Sequence, residues 1–131
     1  MRIYLDAAPV IYTVEDSERY SERVRRRLRQ NGAQLVASDL TRLECRVQPI
    51  RDGNRVLLAA FDFFFETRVV EILPLSSALM DMATEVRATY GFQTPDAIHL
   101  AAAVSAQCDV FFTNDHRLDR FDRIVIEVVE R

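Results

Sequence analysis

The sequence predicts an α/β fold, a three-layer α/β/α arrangement in which helices flank a mostly parallel central sheet. Two observations predict it. Short β-branched and aromatic runs are separated by helix-length segments along the chain, the pattern of strands joined by helical crossovers. Helix punctuation recurs at the junctions, with Ser, Asn or Thr at starts and Gly or Pro at ends. The chain has 131 residues, of which 49% are hydrophobic and 28% charged. That suits one domain spanning 1–131, large enough to bury a core without disulfides or a structural metal.

Each element follows in order. Residues 2–5, Arg-Ile-Tyr-Leu, read as a short strand ending at Asp6, and residues 8–14 as a short helix. Ser17 is expected to cap a charged helix running through Arg29, closed by Asn31-Gly32. Leu35-Val36-Ala37 is a second strand. Asp39 to Arg51 is helical and ends near Asp52-Gly53, and Asn54 to Thr67 forms another helix. Val69 to Leu73 is a strand stopped by Pro74. Ser76 or Ser77 caps a helix to Tyr90, closed by Gly91. Thr94 as N-cap and Pro95 at the first helical position open a helix to about Gln107. Val110 to Phe112 is a strand, residues 113–115 turn, and Ile124 to Val129 is the last strand.

Composition excludes several functions. All 17 basic residues are Arg, so there is no phosphate-loop Lys and no amine for a Schiff base. A phosphoacceptor receiver domain fails on the same ground, and Asp6 stands alone between Leu5 and Ala7. A haloacid-dehalogenase phosphatase fails too, because Ala8 stands where its second Asp belongs. Cys45 and Cys108 are far apart, without zinc-ligand spacing, and read as small buried hydrophobes. The N-terminal residues do not read as a signal peptide, and no apolar run spans a membrane. A reducing, cytoplasmic setting is expected.

Four acids carry the chemistry. Parallel sheets bind ligands beyond the carboxyl ends of their strands, where the strand order reverses. Asp6 and Asp115 follow two such strands. Asp96 lies in the first turn of its helix. Taken singly, each has an ordinary reading as a cap, a turn residue or a partner of the helix dipole. Glu44 differs: Leu40, Leu43 and Val47 form an apolar stripe, Glu44 falls on its edge, and Arg42, Cys45 and Arg46 point elsewhere. If the four converge, each pair about 5 Å apart costs about 3 kcal/mol at an effective dielectric near 20. A divalent cation relieves that cost. With no His or Cys expected among them, an all-oxygen set points to Mg²⁺ or Mn²⁺ rather than zinc. The rest of the chain is formally slightly basic, with Arg19, Arg23, Arg25, Arg26, Arg27 and Arg29 crowded together. An acidic pocket in a basic surround suits hydrolysis of nucleic acid, although the Arg run also reads as a plain solvated face.

The residues then form a familiar series: Leu5-Asp6 with Val10-Ile11-Tyr12, Thr41-Arg42-Leu43-Glu44, the run Thr94 to Ala103 (TPDAIHLAAA), and Phe112-Thr113-Asn114-Asp115. It resembles the PIN-domain family, and most of all the ribonuclease toxins of VapBC-type toxin–antitoxin pairs. The resemblance implies a four-carboxylate site for Mg²⁺ or Mn²⁺, endonucleolytic cleavage of RNA, a homodimer and inhibition by a VapB-type antitoxin. By position it makes Asp6 and Asp96 the principal metal ligands, with Glu44 and Asp115 completing the cluster. Thr113 and Asn114 then orient Asp115 or a bound water. One departure stands out: the family usually has a hydroxyl or Asn just after its first Asp, and this chain has Ala7 and Ala8. A PIN-fold module that binds RNA or a partner without cutting is the alternative that this departure suggests.

Two further features stay open. His99 lies one turn after Asp96 within an apolar run, and reads better as a core histidine with a backbone or carboxylate partner than as a catalytic one. Phe61, Phe63, Phe64 and Phe65 cannot share one helix face. They describe either a helix buried on two sides or an exposed aromatic patch for an antitoxin helix or second subunit.

Overall fold

The computed structural model describes residues 1–16 and 19–130. Five strands are β1 (Arg2–Leu5), β2 (Gln34–Ser38), β3 (Val69–Leu73), β4 (Val110–Thr113) and β5 (Val125–Val128). Six α-helices are α1 (Ala7–Val14), α2 (Ser21–Leu28), α3 (Asp39–Arg51), α4 (Arg55–Thr67), α5 (Ser77–Tyr90) and α6 (Thr94–Ser105), with a 3₁₀ segment at His116–Arg120. The strand order is β3-β2-β1-β4-β5 and every pairing is parallel. From β1 the chain moves outward through β2 to β3, then returns to lay β4 on the other side of β1. The order therefore reverses between β1 and β4, where their carboxyl ends leave a crevice.

Strand alternation divides the core. Tyr4, Val36 and Phe111 face one side and pack with Leu79, Val86, Ile98 and Leu100 of α5 and α6. Ile3, Leu5, Ala37 and Phe112 face the other and pack with Val10, Val24, Cys45 and Phe61 of α1 to α4. Three layers result. Residues 97–103 of α6 are all buried, and four of these seven are alanines that let the helix lie close to its neighbours.

Several local expectations are corrected. Ser17, the expected cap of the charged helix, lies outside the described residues, and α2 starts at Ser21 behind Tyr20. The N-cap of α6 is Gln93, so Thr94 is already helical. On α3 the buried positions are Thr41, Cys45 and Pro49, spaced by four. Leu43 is 55% exposed and Val47 is exposed as well, so the stripe of Leu40, Leu43 and Val47 is not the inner face and Cys45 points inward. Cys45 is buried and Cys108 half-buried, both as free thiols. The phenylalanines of α4 are divided: Phe61, Phe64 and Phe65 are buried and Phe63 is 67% exposed. The helix is thus covered on one side, not two.

The arginines of α2 are tied into the fold. Arg27 pairs with Glu127 at 2.7 Å, Arg25 donates to the Thr13 carbonyl, Arg23 donates to the Val129 carbonyl, and Arg26 and Arg29 reach Glu22. They form a solvated, internally paired face.

Candidate functional site

Asp6 is the residue at which β1 becomes α1. As N-cap, its Oδ1 accepts the Ala7 N–H at 2.9 Å. Its Oδ2 accepts the Thr113 hydroxyl at 2.7 Å. Thr113 is the last residue of the neighbouring β4 and is fully buried. The same hydroxyl accepts the Asp115 N–H at 3.1 Å. One buried side chain therefore ties both strand ends together at the crevice. It also supplies Asp6 with a hydroxyl that Ala7 and Ala8 do not. Asn114 turns away to donate to the Tyr12 hydroxyl at 3.4 Å.

Asp115 caps the 3₁₀ segment, and its Oδ1 accepts the Arg117 N–H at 2.9 Å. The Arg117 guanidinium grips both carboxylate oxygens, with contacts of 2.9 Å and 2.6 Å. That grip holds the Asp115 carboxyl below the ordinary carboxylate range. Asp96, in the first turn of α6, shows the opposite shift. Partial burial pushes its carboxyl up, the charges of Asp6 and Asp115 add to this, and Arg117 and His99 act against it. Asp6, Asp96 and Asp115 thus share one electrostatic neighbourhood.

Glu44 reaches the crevice from α3, and its partner there is His99. The ring Nε2 lies 2.5 Å from Glu44 Oε1 and 3.6 Å from Asp6 Oδ1. His99 is 2% exposed. Its Nδ1 lies 2.8 Å from the Tyr4 hydroxyl, which donates to Ser38 Oγ at 2.9 Å. Burial lowers the affinity of the ring for a proton. The Glu44 hydrogen bond and the charges of Asp6, Glu44 and Asp96 outweigh that effect, and the imidazole is lifted above its ordinary value. Tyr4 is itself held as a neutral phenol, because burial raises its pKa strongly.

The tight, metal-sized group is Asp6, Glu44 and His99, whose ligand atoms all lie within 4.8 Å of one another. The sequence expected no His or Cys beside the acids, and the structure brings His99 next to Asp6 and Glu44. A histidine stands inside the cluster because α6 packs its third residue after Asp96 against the end of β1. His99 does have the carboxylate partner expected of a core histidine. Asp96 and Asp115 belong to the same charged neighbourhood but not to the tight group. Tyr4 was missed in the sequence, although a tyrosine in a central strand must find a partner for its hydroxyl when buried. Carboxylate oxygens and one imidazole nitrogen form a donor set that fits a divalent cation.

Known proteins share this fold. The family model for the PIN domain matches residues 3–124. The chain belongs to the PIN-domain family. By sequence, no curated protein gives a significant match. Among solved structures, this PIN domain is similar to VapBC2 from Rickettsia felis, with a TM-score of 0.78, 16% identity and 98% of each chain covered. It is also similar to VapC20 from Mycobacterium tuberculosis, a sarcin–ricin loop cleaving toxin. The TM-score is 0.74 at 14% identity, covering 94% of this chain and 98% of that one. A third likeness is to DNA-bound VapBC from Salmonella typhimurium, with a TM-score of 0.74, 21% identity and 98% of each chain covered. The shared property is the fold of the PIN domain, here with its strand-order reversal at Asp6 and Thr113.

Proposed function

We propose that this PIN domain is an endoribonuclease dependent on Mg²⁺ or Mn²⁺, and the toxin of a type II toxin–antitoxin pair. It would hydrolyse RNA phosphodiester bonds at a site built from Asp6, Glu44, Asp96 and Asp115. One observation carries the reading: acids gather at the crevice where the strand order reverses, with Asp6 and Glu44 within ligand distance of one another and the Asp96 carboxyl raised first by burial and then by the charges of Asp6 and Asp115. Uncompensated, such a cluster is costly. A bound divalent cation would supply screening of the phosphate and a water of lowered pKa.

The chain's own residues supply the rest. Thr113 and the Ala7 N–H fix the Asp6 carboxylate from two sides. Asp115 is held ionised by Arg117, and Glu44 or Asp115 would accept the proton of the attacking water. Arg117, with its side chain 76% exposed at the rim, meets an incoming phosphate. Exposed Leu43, Val47 and Ile50 on α3, and Val56 and Phe63 on α4, offer apolar surface to a VapB-type antitoxin helix. A homodimer in the cytoplasm completes the reading. No helix among the described residues is long and apolar enough to cross a membrane.

The test is cleavage of a structured RNA by the purified protein with Mg²⁺ or Mn²⁺, with chelator and an Asp6→Asn variant as controls. Cleavage should fall by at least about 100-fold in the variant and vanish with chelator. The second reading, a binding module that does not cut, is favoured by Ala7 and Ala8 and by the engagement of Asp115 with Arg117. RNA binding by both proteins, with equal absence of cleavage, would establish it.

A further inference from the structure

We infer that His99 is itself a metal-ligand position, so that the cation is held by one imidazole nitrogen together with oxygens of Asp6 and Glu44. A first-row transition cation such as Mn²⁺ is then preferred over Mg²⁺. The functional meaning of this rests on the proposed nuclease reading, whereas the ligand geometry stands apart from it.

The spacing is the first argument. Ligand atoms about 2.1 Å from an octahedral cation stand about 3 Å apart when adjacent. The separation of 3.6 Å between His99 Nε2 and Asp6 Oδ1 lies near that value. The 2.5 Å separation from Glu44 Oε1 is that of a hydrogen bond, and it opens by about 0.5 Å to reach the same octahedral spacing.

Anchoring of the ring is the second argument. The Tyr4 hydroxyl lies 2.8 Å from Nδ1 and is itself tied to Ser38 Oγ. Nε2 is the ring atom that faces the carboxylates, and a cation bound there displaces the proton of the contact with Glu44. Metal-ligating histidines are held in this way, with the far nitrogen anchored by a hydrogen bond that fixes both tautomer and ring orientation. The Ser38–Tyr4–His99 chain is fully buried, so the ring cannot turn away.

The third argument is access and chemistry. His99 forms the closed floor of the site, while the Asp6 and Glu44 side chains keep 17% and 31% of their surface open to solvent. A cation arriving from solvent meets oxygen first and nitrogen last. Mg²⁺ takes oxygen ligands and keeps its waters. Imidazole is a ligand of the transition series, so a buried nitrogen tilts the selectivity away from Mg²⁺.

Pulsed electron paramagnetic resonance on the Mn²⁺-loaded full chain tests this, because a directly bound imidazole gives nitrogen-14 modulation. Calorimetric titrations with Mn²⁺ and Mg²⁺ accompany it. The wild type should show the nitrogen signal and bind Mn²⁺ more tightly than Mg²⁺. His99→Gln should lose the signal and most of that preference. Tyr4→Phe spares the ligand itself, so it should keep the signal while Mn²⁺ affinity falls about 10–100-fold. Mn²⁺ bound without nitrogen modulation in the wild type, or no Mn²⁺ binding at all, overturns the inference. Nitrogen coupling without RNA cleavage sinks the nuclease reading and upholds this one. Cleavage with manganese held by oxygen alone does the reverse.

Discussion

At the scale of single residues, the site is a set of charges held in place at a cost to the fold. Thr113 shows how the holding is done, with one buried hydroxyl donating to Asp6 and accepting from the Asp115 backbone. Asp96 shows the cost. Its carboxyl pKa is raised in the folded protein by burial and by Asp6 and Asp115. The folded state therefore binds a proton more tightly than the unfolded state. Stability must fall as pH rises from the ordinary value near 3.8 through the raised folded value. Above that window the metal-free protein carries the full penalty. Asp96→Asn removes the titrating group. We expect it to raise the melting temperature of the metal-free protein at pH 7, with the gain shrinking as pH drops through the window and gone below it. Thermal melts from pH 3 to 8 in chelator check this, and a variant less stable than wild type at pH 7 would refute it.

At the scale of elements, α4 makes the sharpest distinction. Phe61 is buried between helix and sheet, whereas Phe63, two residues on, faces out. Phe61→Ala should cost about 3–5 kcal/mol through lost burial and the cavity it leaves. Phe63→Ala should stay within about 0.5 kcal/mol, as read by urea denaturation of both variants. The sequence made most elements legible, because their signals are local. Asn54 caps α4, Ser76 caps α5, and Gly91 closes α5 in a left-handed conformation. Which face of a helix turns inward was less legible where polarity misleads. On α3 the buried positions are a threonine, a cysteine and a proline, chosen by the close approach of α1 and β1 rather than by hydrophobicity. Thr41 donates to the Leu5 carbonyl at 3.2 Å and the Cys45 thiol faces the Ala7 carbonyl. A leucine stripe could not make those contacts, so Leu43 and Val47 are left outside. Asp6 and Asp115 were legible because strand ends mark the crevice, whereas Glu44 was reached through an apolar stripe that is not the inner face of α3. The place of His99 among the acids was not legible, because the bond to Glu44 joins residues 55 apart in the chain.

At the scale of the whole molecule, the all-parallel topology gathers side chains from β1, α3, α6 and the end of β4 at one rim. No two of these elements adjoin in sequence except through a long crossover, save β4 and α6. Their mutual repulsion is therefore borne by the entire fold, and a cation that relieves it should stabilise the entire fold. A ligand that binds only the native state adds RT ln(1 + [L]/Kd), which is about 2.7 kcal/mol at 100 times Kd. For a domain of this size that corresponds to a rise in melting temperature of about 10 °C. We expect Mn²⁺ to produce such a rise in the wild type and chelator to reverse it. Asp6→Asn should be nearly flat, because it removes the carboxylate shared by the Thr113 tether and the metal-sized group. Asp96→Asn should start higher in chelator and gain less from Mn²⁺, since the two effects relieve the same repulsion and cannot add. Differential scanning calorimetry of the three proteins, with and without Mn²⁺, separates these cases. Equal responses in wild type and Asp6→Asn would place the cation elsewhere and leave the acidic rim without the role that its geometry supports.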